Sequence, residues 1–380
     1  MPSYPQLISA ATILAAAASL TLVAVPAHAA KPTCLGRTAT KVVTDIEDLS
    51  FSNGAYQLVG TTKSDVVLID LDGADDHVTI RVTFDGVAKQ SGGSDAVCAT
   101  ITAPQWYTTF EVVGGDQVSA TGFEVVEATN PTSNPVEYNV NAARIDMELG
   151  NGGDTVYATS SPGYCDCQHI YIDGRGGDDF IYVDAGRSPT DAVVGAFGGS
   201  GNDSLYLHGV RANILGVGGP GTDAILTADA NLLAYAGTPT YTGRAGGVTV
   251  RSQRTALNAL LEGSIAELNA ALGANPGSET NSNRLSGGSR GDILHGANGK
   301  DTIAGGGGND RIRGNGGNDR LEGSFGNDRI EGGTGDDKIY GGDGDDWLRG
   351  NDDDDHVQGD AGKDDCSGGG GTDTLRSCNP

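Results

Sequence analysis

Ten aspartates recur at intervals of nine residues: Asp292, Asp301, Asp310, Asp319, Asp328, Asp337, Asp346, Asp355, Asp364 and Asp373. Carboxylates in such a series are hard oxygen donors, and the partner they suit is a hard divalent cation. A single aspartate in a glycine-rich turn means little, because Asp is an ordinary turn residue. Turn chemistry does not explain why this column never accepts Asn, Ser or Gly, which turns tolerate equally well. Three further columns keep the same period. Starting at Gly287, the first position of every nonapeptide through Gly368 is glycine, and the fourth is glycine except at Arg290 and Asp353. The eighth is Leu294, Ile303, Ile312, Leu321, Ile330, Ile339, Leu348, Val357, Cys366 and Leu375.

These columns specify the elements that hold the carboxylates. One apolar position flanked by polar ones is a strand of about three residues. The six-residue GGxGxD stretch before it is a turn, where glycine permits positive φ and close backbone approach. Two strands and two turns per eighteen residues then build a parallel β-roll with a thin core of Leu, Ile and Val. Stacked strands lie about 4.8 Å apart, so the carboxylates of units n and n+2 form ladders. Each neighbouring pair would repel by about 3–4 kcal/mol at an effective dielectric of 20, and by about 1 kcal/mol in solvated turns. A divalent cation between turns removes that repulsion. Ca²⁺ accepts six to eight oxygens in flexible geometry, including the carbonyls that glycine turns expose, whereas Mg²⁺ prefers a smaller octahedral shell with its own waters.

The array resembles the RTX, or haemolysin-type, calcium-binding nonapeptide repeats. The resemblance covers residues 287–376, about a quarter of the chain, and rests on two invariant columns and one apolar column over ten units. It implies calcium as the ligand of the ten aspartates, and the chain looks like the secreted actinobacterial proteins that carry such arrays. Ten units allow eight pairings of n with n+2 (ten minus two), so about eight sites are the expected maximum. The units with Arg290 or Asp353, and the terminal coils, should bind weakly. Asn283-Arg284-Leu285 sits in phase with Asn in place of Asp, a leading half-coil without metal.

Upstream, residues 30–245 carry degenerate copies at wider spacing. Gly174–Tyr182, Gly198–Tyr206 and Gly218–Leu226 place Asp179, Asp203 and Asp223 at the sixth position, and Gly150–Val156 and Gly73–Val78 are shortened echoes. Intervals of about 20 to 24 residues predict one wider coil per motif. The fold expected is all-β: a degenerate right-handed parallel β-helix, then a β-roll of ten nonapeptides, with one short helix over 255–272 where Leu257, Leu260, Leu261, Ile265, Leu268 and Leu272 have helical spacing. The expected organisation is a signal peptide over 1–29, the β-helix over 30–245, helix and polar linker over 246–284, and the roll over 285–380. The three upstream aspartates are candidate ligands, with solvated turns as the alternative.

Composition excludes several functions. The 380 residues carry 24 Lys and Arg against 50 Asp and Glu, a net charge of −26, which opposes nucleic acid and anionic lipid. Aromatic content of 6% excludes a thick core. The apolar run from Leu7 to Val25 ends in Ala27-His28-Ala29, a small-residue cleavage pattern that predicts export and no stable membrane insertion afterwards. Six cysteines follow, Cys34, Cys98, Cys165, Cys167, Cys366 and Cys378, and an even count in an exported chain reads as disulfides. Cys366 with Cys378 is the best local pair and would cap the last coil; the other pairings stay open. No HExxH pattern occurs, and the one GxSxG string, Gly287–Gly291, falls inside the first nonapeptide rather than at a nucleophile elbow, so no catalysis is expected. The alternative is a carbohydrate-active β-helix enzyme using Asp70, Asp72, Asp75, Asp76 and Arg81. Calcium is the expected cofactor and partner; a cell-surface or polysaccharide partner is compatible with the chain but no residue identifies it. Arg311, Arg320, Arg329 and Lys338 at the seventh position read as exposed strand cations that soften the acidity.

Overall fold

The structure is a computed structural model. It describes residues 33–35, 37–44, 48–52, 55–59, 66–72, 79–84, 96–102, 109–114, 117–129, 136–160, 169–187, 192–210, 213–228, 231–235, 244–245, 248–249, 280 and 282–379. The leader over 1–29, the helix over 255–272 and the pair Cys165 and Cys167 lie outside the described residues. Thr33–Pro380 forms one compact unit, and every named element in it is a strand.

Most strands pair in parallel with the strand two places along the chain, which generates two sheets that share one core, whereas Thr33–Cys34 with Arg37–Thr38, Ser50–Ser52 with Ala55–Val59 and Arg244–Ala245 with Val248–Thr249 are antiparallel. In the first sheet, Thr155–Thr159, Phe180–Arg187, Ser204–Val210, Ala224–Ala228 and Arg284–Ser286 stack in order and lead into Thr302–Gly307, Arg320–Phe325, Lys338–Asp343, His356–Ala361 and Thr374–Arg376. In the second, His169–Asp173, Val193–Phe197, Asn213–Val217 and Asn231–Tyr235 lead into Ile293–His295, Arg311–Gly316, Arg329–Thr334, Trp347–Asp352 and Asp365–Gly369. The registers Phe180↔Ser204 and Ser204↔Ala224 are the expected coils of 24 and 20 residues. From Thr302 onward the partner is 18 residues away, two nonapeptides per coil. The long strands Gln117–Thr129 and Glu137–Glu148 serve both sheets, with a register shift in the first between Thr121 and Phe123 where the coil turns its corner.

The residue at the second inward position decides core width, since it is an apolar side chain in the wide coils and the first-column glycine in the nonapeptides, as at Gly305, Gly314 and Gly323. A strand of the wide coils points two side chains inward, such as Val156 and Ala158 or Leu205 and Leu207. A nonapeptide strand supplies one, and Leu294 to Val357 of the eighth column are all 1% exposed or less. Both kinds belong to one continuous apolar cluster. The column weakens at its end: Cys366 is only partly buried and Leu375 is 48% exposed. There Cys366 and Cys378 stand at disulfide distance, Cα atoms 5.7 Å apart, joining the tail to the penultimate strand. Cys34 and Cys98 stand likewise, 5.6 Å apart, at the other end.

Candidate metal centre

The sixth-column aspartates do not sit on a solvated surface. The nine from Asp292 to Asp364 are 3% exposed or less. From Asp301 on, each reaches back one coil: the backbone N–H of Asp310 donates to Oδ1 of Asp328 at 2.8 Å, and that of Asp319 to Oδ1 of Asp337 at 2.8 Å. The same bond recurs from Asp292 to Asp310 and from Asp301 to Asp319, and ends with Asp355 donating to Asp373 at 3.0 Å. The carbonyl of each aspartate from Asp292 to Asp355 meanwhile accepts from the strand one coil on, as Asp310 does from Arg329 at 2.9 Å. One oxygen of every carboxylate from Asp301 to Asp373 is therefore committed to holding two coils in register.

The second oxygen divides the turns into two kinds. Oδ2 of Asp292 accepts from Gly288 at 2.7 Å and Oδ2 of Asp301 from Ala297 at 2.7 Å, so the first two units close their turns on themselves. From the third unit on, the turn takes positive φ at its second and fourth positions, as at Gly306 and Gly308. Where the second position is not glycine it is Asn315, Ser324, Asn351 or Asp360, small polar residues of which Asn and Asp best tolerate that region. In this form the turn N–H groups point away, and Oδ2 of Asp310, Asp319, Asp328, Asp337, Asp346, Asp355 and Asp364 is buried with no hydrogen-bond donor. Asp353 keeps this form at φ 76°, and the unit with Arg290 is of the closed kind.

The wide coils repeat the open form. Arg175 and Gly177, Gly199 and Gly201, and Gly219 and Gly221 carry the same two positive φ values. Asp179 and Asp203 have an undonated Oδ2, and Asp223 holds the backbone N–H of Asp203 at 2.9 Å. Asp223 in turn donates to Oδ1 of Asn283 at 2.7 Å, and Asn283 to Asp301 at 2.7 Å. Asn283 is thus an uncharged rung in one unbroken ladder from Asp179 to Asp373. Asp154, which the shortened motif hid, is the rung before Asp179.

Undonated buried carboxylate oxygens are costly. Burial is the first cause that pushes these acids up, ahead of the neighbouring charges that the spacing alone suggested. Asp179, Asp310 and Asp319 rise to about 8, Asp337 to about 7, and Asp203, Asp346 and Asp355 to about 6. The neighbouring carboxylates add to the rise at Asp179, Asp310, Asp319, Asp337, Asp346 and Asp355.

The invariant first-column glycine borders this oxygen. A Cβ added to Gly323 would fall less than 3.0 Å from both Asp328 Oδ2 and the carbonyl of Gly341 one coil on. Gly305, Gly314, Gly332, Gly341, Gly350 and Gly359 bring together the same pair of atom types, with Ser377 supplying the carbonyl for Gly359. Gly368 meets only atoms of Asp373, because no coil follows. Carboxylate oxygen, backbone carbonyl and a glycine cradle are the hard-oxygen donor set of calcium. Among the described residues no group of three or more His, Cys, Asp or Glu converges, so carbonyls must complete any shell. The residues fit the ion: the open-turn aspartates and first-column carbonyls would hold it, and it would supply the positive charge that the buried ladder lacks.

The fifth column was not singled out in the sequence and works beside the sixth. Oδ1 of Asn309 accepts from the backbone N–H of Asn327 at 2.9 Å, Asn327 from Asp345 at 3.0 Å, and Asp345 from Lys363 at 3.0 Å. Its signal was present as six successive Asn or Asp residues, from Asn309 to Asp354. These bonds run toward the following coil and are exposed, opposite in both respects to the aspartate ladder. Asn327→Ala should lower the stability of the folded array by about 1 kcal/mol, read from the urea midpoint, without changing the number of ions bound.

Of the remaining candidates, Arg320 pairs with Glu322 at 3.1 Å and Arg329 lies 3.5 Å over the Trp347 ring, so these seventh-column cations are engaged with their own surface. Arg81 pairs with Glu111. Asp75 and Asp76 lie outside the described residues, and Asp70 and Asp72 belong to the strand Val66–Asp72.

Fold and site together define a parallel β-solenoid whose turns carry buried aspartate ladders. Residues 171–188, 280–312, 313–348 and 340–375 match the family described as RTX calcium-binding nonapeptide repeat, in four copies. The chain therefore carries calcium-binding RTX repeats, and the first of these matches contains Asp179 of the wide coils. No curated protein and no solved structure matches the chain.

Proposed function

We propose that this is a secreted, non-enzymatic calcium-binding protein whose β-roll folds on calcium outside the cell and serves a structural or surface-interaction role. The observation that carries the reading is the run of seven buried carboxylate oxygens, from Asp310 to Asp364, that no donor satisfies. A fold with that many orphaned acids is poorly stable alone and gains strongly from a cation. Extracellular calcium near millimolar matches the weaker class of calcium sites, so the array stays loose until exported. Each site filled to ten times its dissociation constant contributes about 1.4 kcal/mol.

The two kinds of turn give the test. Bound calcium is counted by equilibrium dialysis on the full chain and on two variants. Asp328→Asn should lower the count, whereas Asp292→Asn, in a closed turn, should leave it unchanged. Equal losses from both would remove the distinction on which the reading rests. Amino-terminal sequencing of exported protein should begin at Ala30, and the protein should show no turnover on acidic or neutral polysaccharides.

A further inference from the structure

The outer face of the first sheet is aromatic over the wide coils. Tyr157, Phe180, Tyr182, Tyr206 and His208 occupy partly exposed positions that alternate with buried Val156, Ala158, Ile181, Val183, Leu205 and Leu207. The register places Tyr157, Tyr182 and Tyr206 in one row across three successive strands. Ring centroids are 5.7 Å apart for Tyr157 and Phe180, 6.2 Å for Tyr157 and Tyr182, 5.4 Å for Phe180 and Tyr206, and 5.6 Å for Tyr182 and His208. In a chain with 6% aromatics, five rings gathered outside a core that is already filled need a reason.

Two polar rows border the rings. One carries Thr155 and Ser204 in register with Phe180, the other Thr159 and Asp184 in register with His208. Glu137, Asn139 and Asn141 extend the three rows onto the preceding strand. These rows hold two carboxylates and no Lys or Arg. On a chain of net charge −26 such a face repels polyanions. The polar borders mismatch an apolar helix. Flat rings between hydroxyl, amide and imidazole groups match a ligand with apolar C–H faces and an equatorial rim of hydroxyls.

We propose that this face binds an uncharged polysaccharide, its sugar rings lying on Tyr157, Tyr182 and Tyr206 while Asp184, His208 and Ser204 meet the hydroxyls. Successive strands about 4.8 Å apart repeat the aromatic row along the direction a polymer would run. The surface lies on the strands of the wide coils, outside the nonapeptide turns.

The test is affinity electrophoresis of the full chain in calcium, with hydroxyethylcellulose, glucomannan or dextran in the gel, and polygalacturonate as the acidic comparison. Retardation by at least one neutral polymer is expected. Tyr182→Ala and Tyr206→Ala should each weaken it about tenfold, while Tyr182→Phe, which keeps the ring, should retain most of it. A mutation-free arm protects against misfolded variants: the soluble oligosaccharide of the retarding polymer should change the tyrosine fluorescence of the unmodified chain. No retardation by any neutral polymer, retardation by polygalacturonate alone, or retardation that both alanine variants leave intact would overturn the proposal.

Discussion

Gly323→Ala is expected to destabilise the array by about 3 kcal/mol and to weaken calcium binding, while Gly307→Ala is expected to be nearly silent. The two glycines lie in neighbouring coils of the same sheet, and neither has a positive φ, so backbone preference does not separate them. Space does. A Cβ on Gly307 would meet nothing closer than 3.6 Å, an ordinary contact. One on Gly323 would fall within 3.0 Å of the Asp328 carboxylate and the Gly341 carbonyl. The carbonyl is fixed by the stacked backbone, and the carboxylate is held by its bond to the Asp310 N–H. Relief requires parting two coils or withdrawing the acid from its rung. Urea unfolding in calcium of the two variants beside the parent measures the difference; equal midpoints would show that the first-column glycines are turn formers only.

In chelator the array should become more stable as pH falls from 8 to 5, the reverse of ordinary acid denaturation. Asp310 and Asp319 titrate at about 8 in the fold, Asp337 at about 7, and Asp346 and Asp355 at about 6, all above the ordinary carboxylate value of 3.8. Between those values and 3.8 the folded chain binds more protons than the unfolded chain, so stability falls as pH rises. The stabilisation is complete below 3.8 and is lost as pH passes through 6 to 8. Calcium should preserve the fold at pH 8, where the metal-free chain is weakest, and its affinity should fall in acid as protons compete for the same oxygens. Urea midpoints at pH 5 and pH 8, with and without chelator, decide this. A metal-free midpoint that rises with pH would contradict the buried ladder.

Much of this was legible because the fold repeats. The first, sixth and eighth columns gave the turn, the carboxylate and the core residue of every unit, and Asp179, Asp203 and Asp223 could be found by the same phase. Burial of the acids was not legible. A column of Asp in glycine turns reads as solvated until the neighbouring coil is placed, since the bond from Asp310 to Asp328 spans 18 residues. The split between closed and open turns was hidden for the same reason. Gly288 and Gly306 are the same residue at the same position, yet only Gly306 takes positive φ. Column five changes from Asn309, Asn318 and Asn327 to Asp336, Asp345 and Asp354, so no single residue type marks it, and what its members share is a side-chain acceptor that meets the following coil. The aromatic row needed the register of three strands whose spacing is 25 and then 24 residues, too irregular to show as a period.

Far-ultraviolet circular dichroism of the full chain at pH 8, titrated with calcium after chelation and with magnesium in parallel, tests the central claim most directly. The account predicts a cooperative gain of β-sheet with calcium, little change with magnesium, and a weakened response in Asp328→Asn. An identical spectrum and urea midpoint in chelator and in calcium, or an equal response to magnesium, would contradict it and return the aspartate columns to turn chemistry.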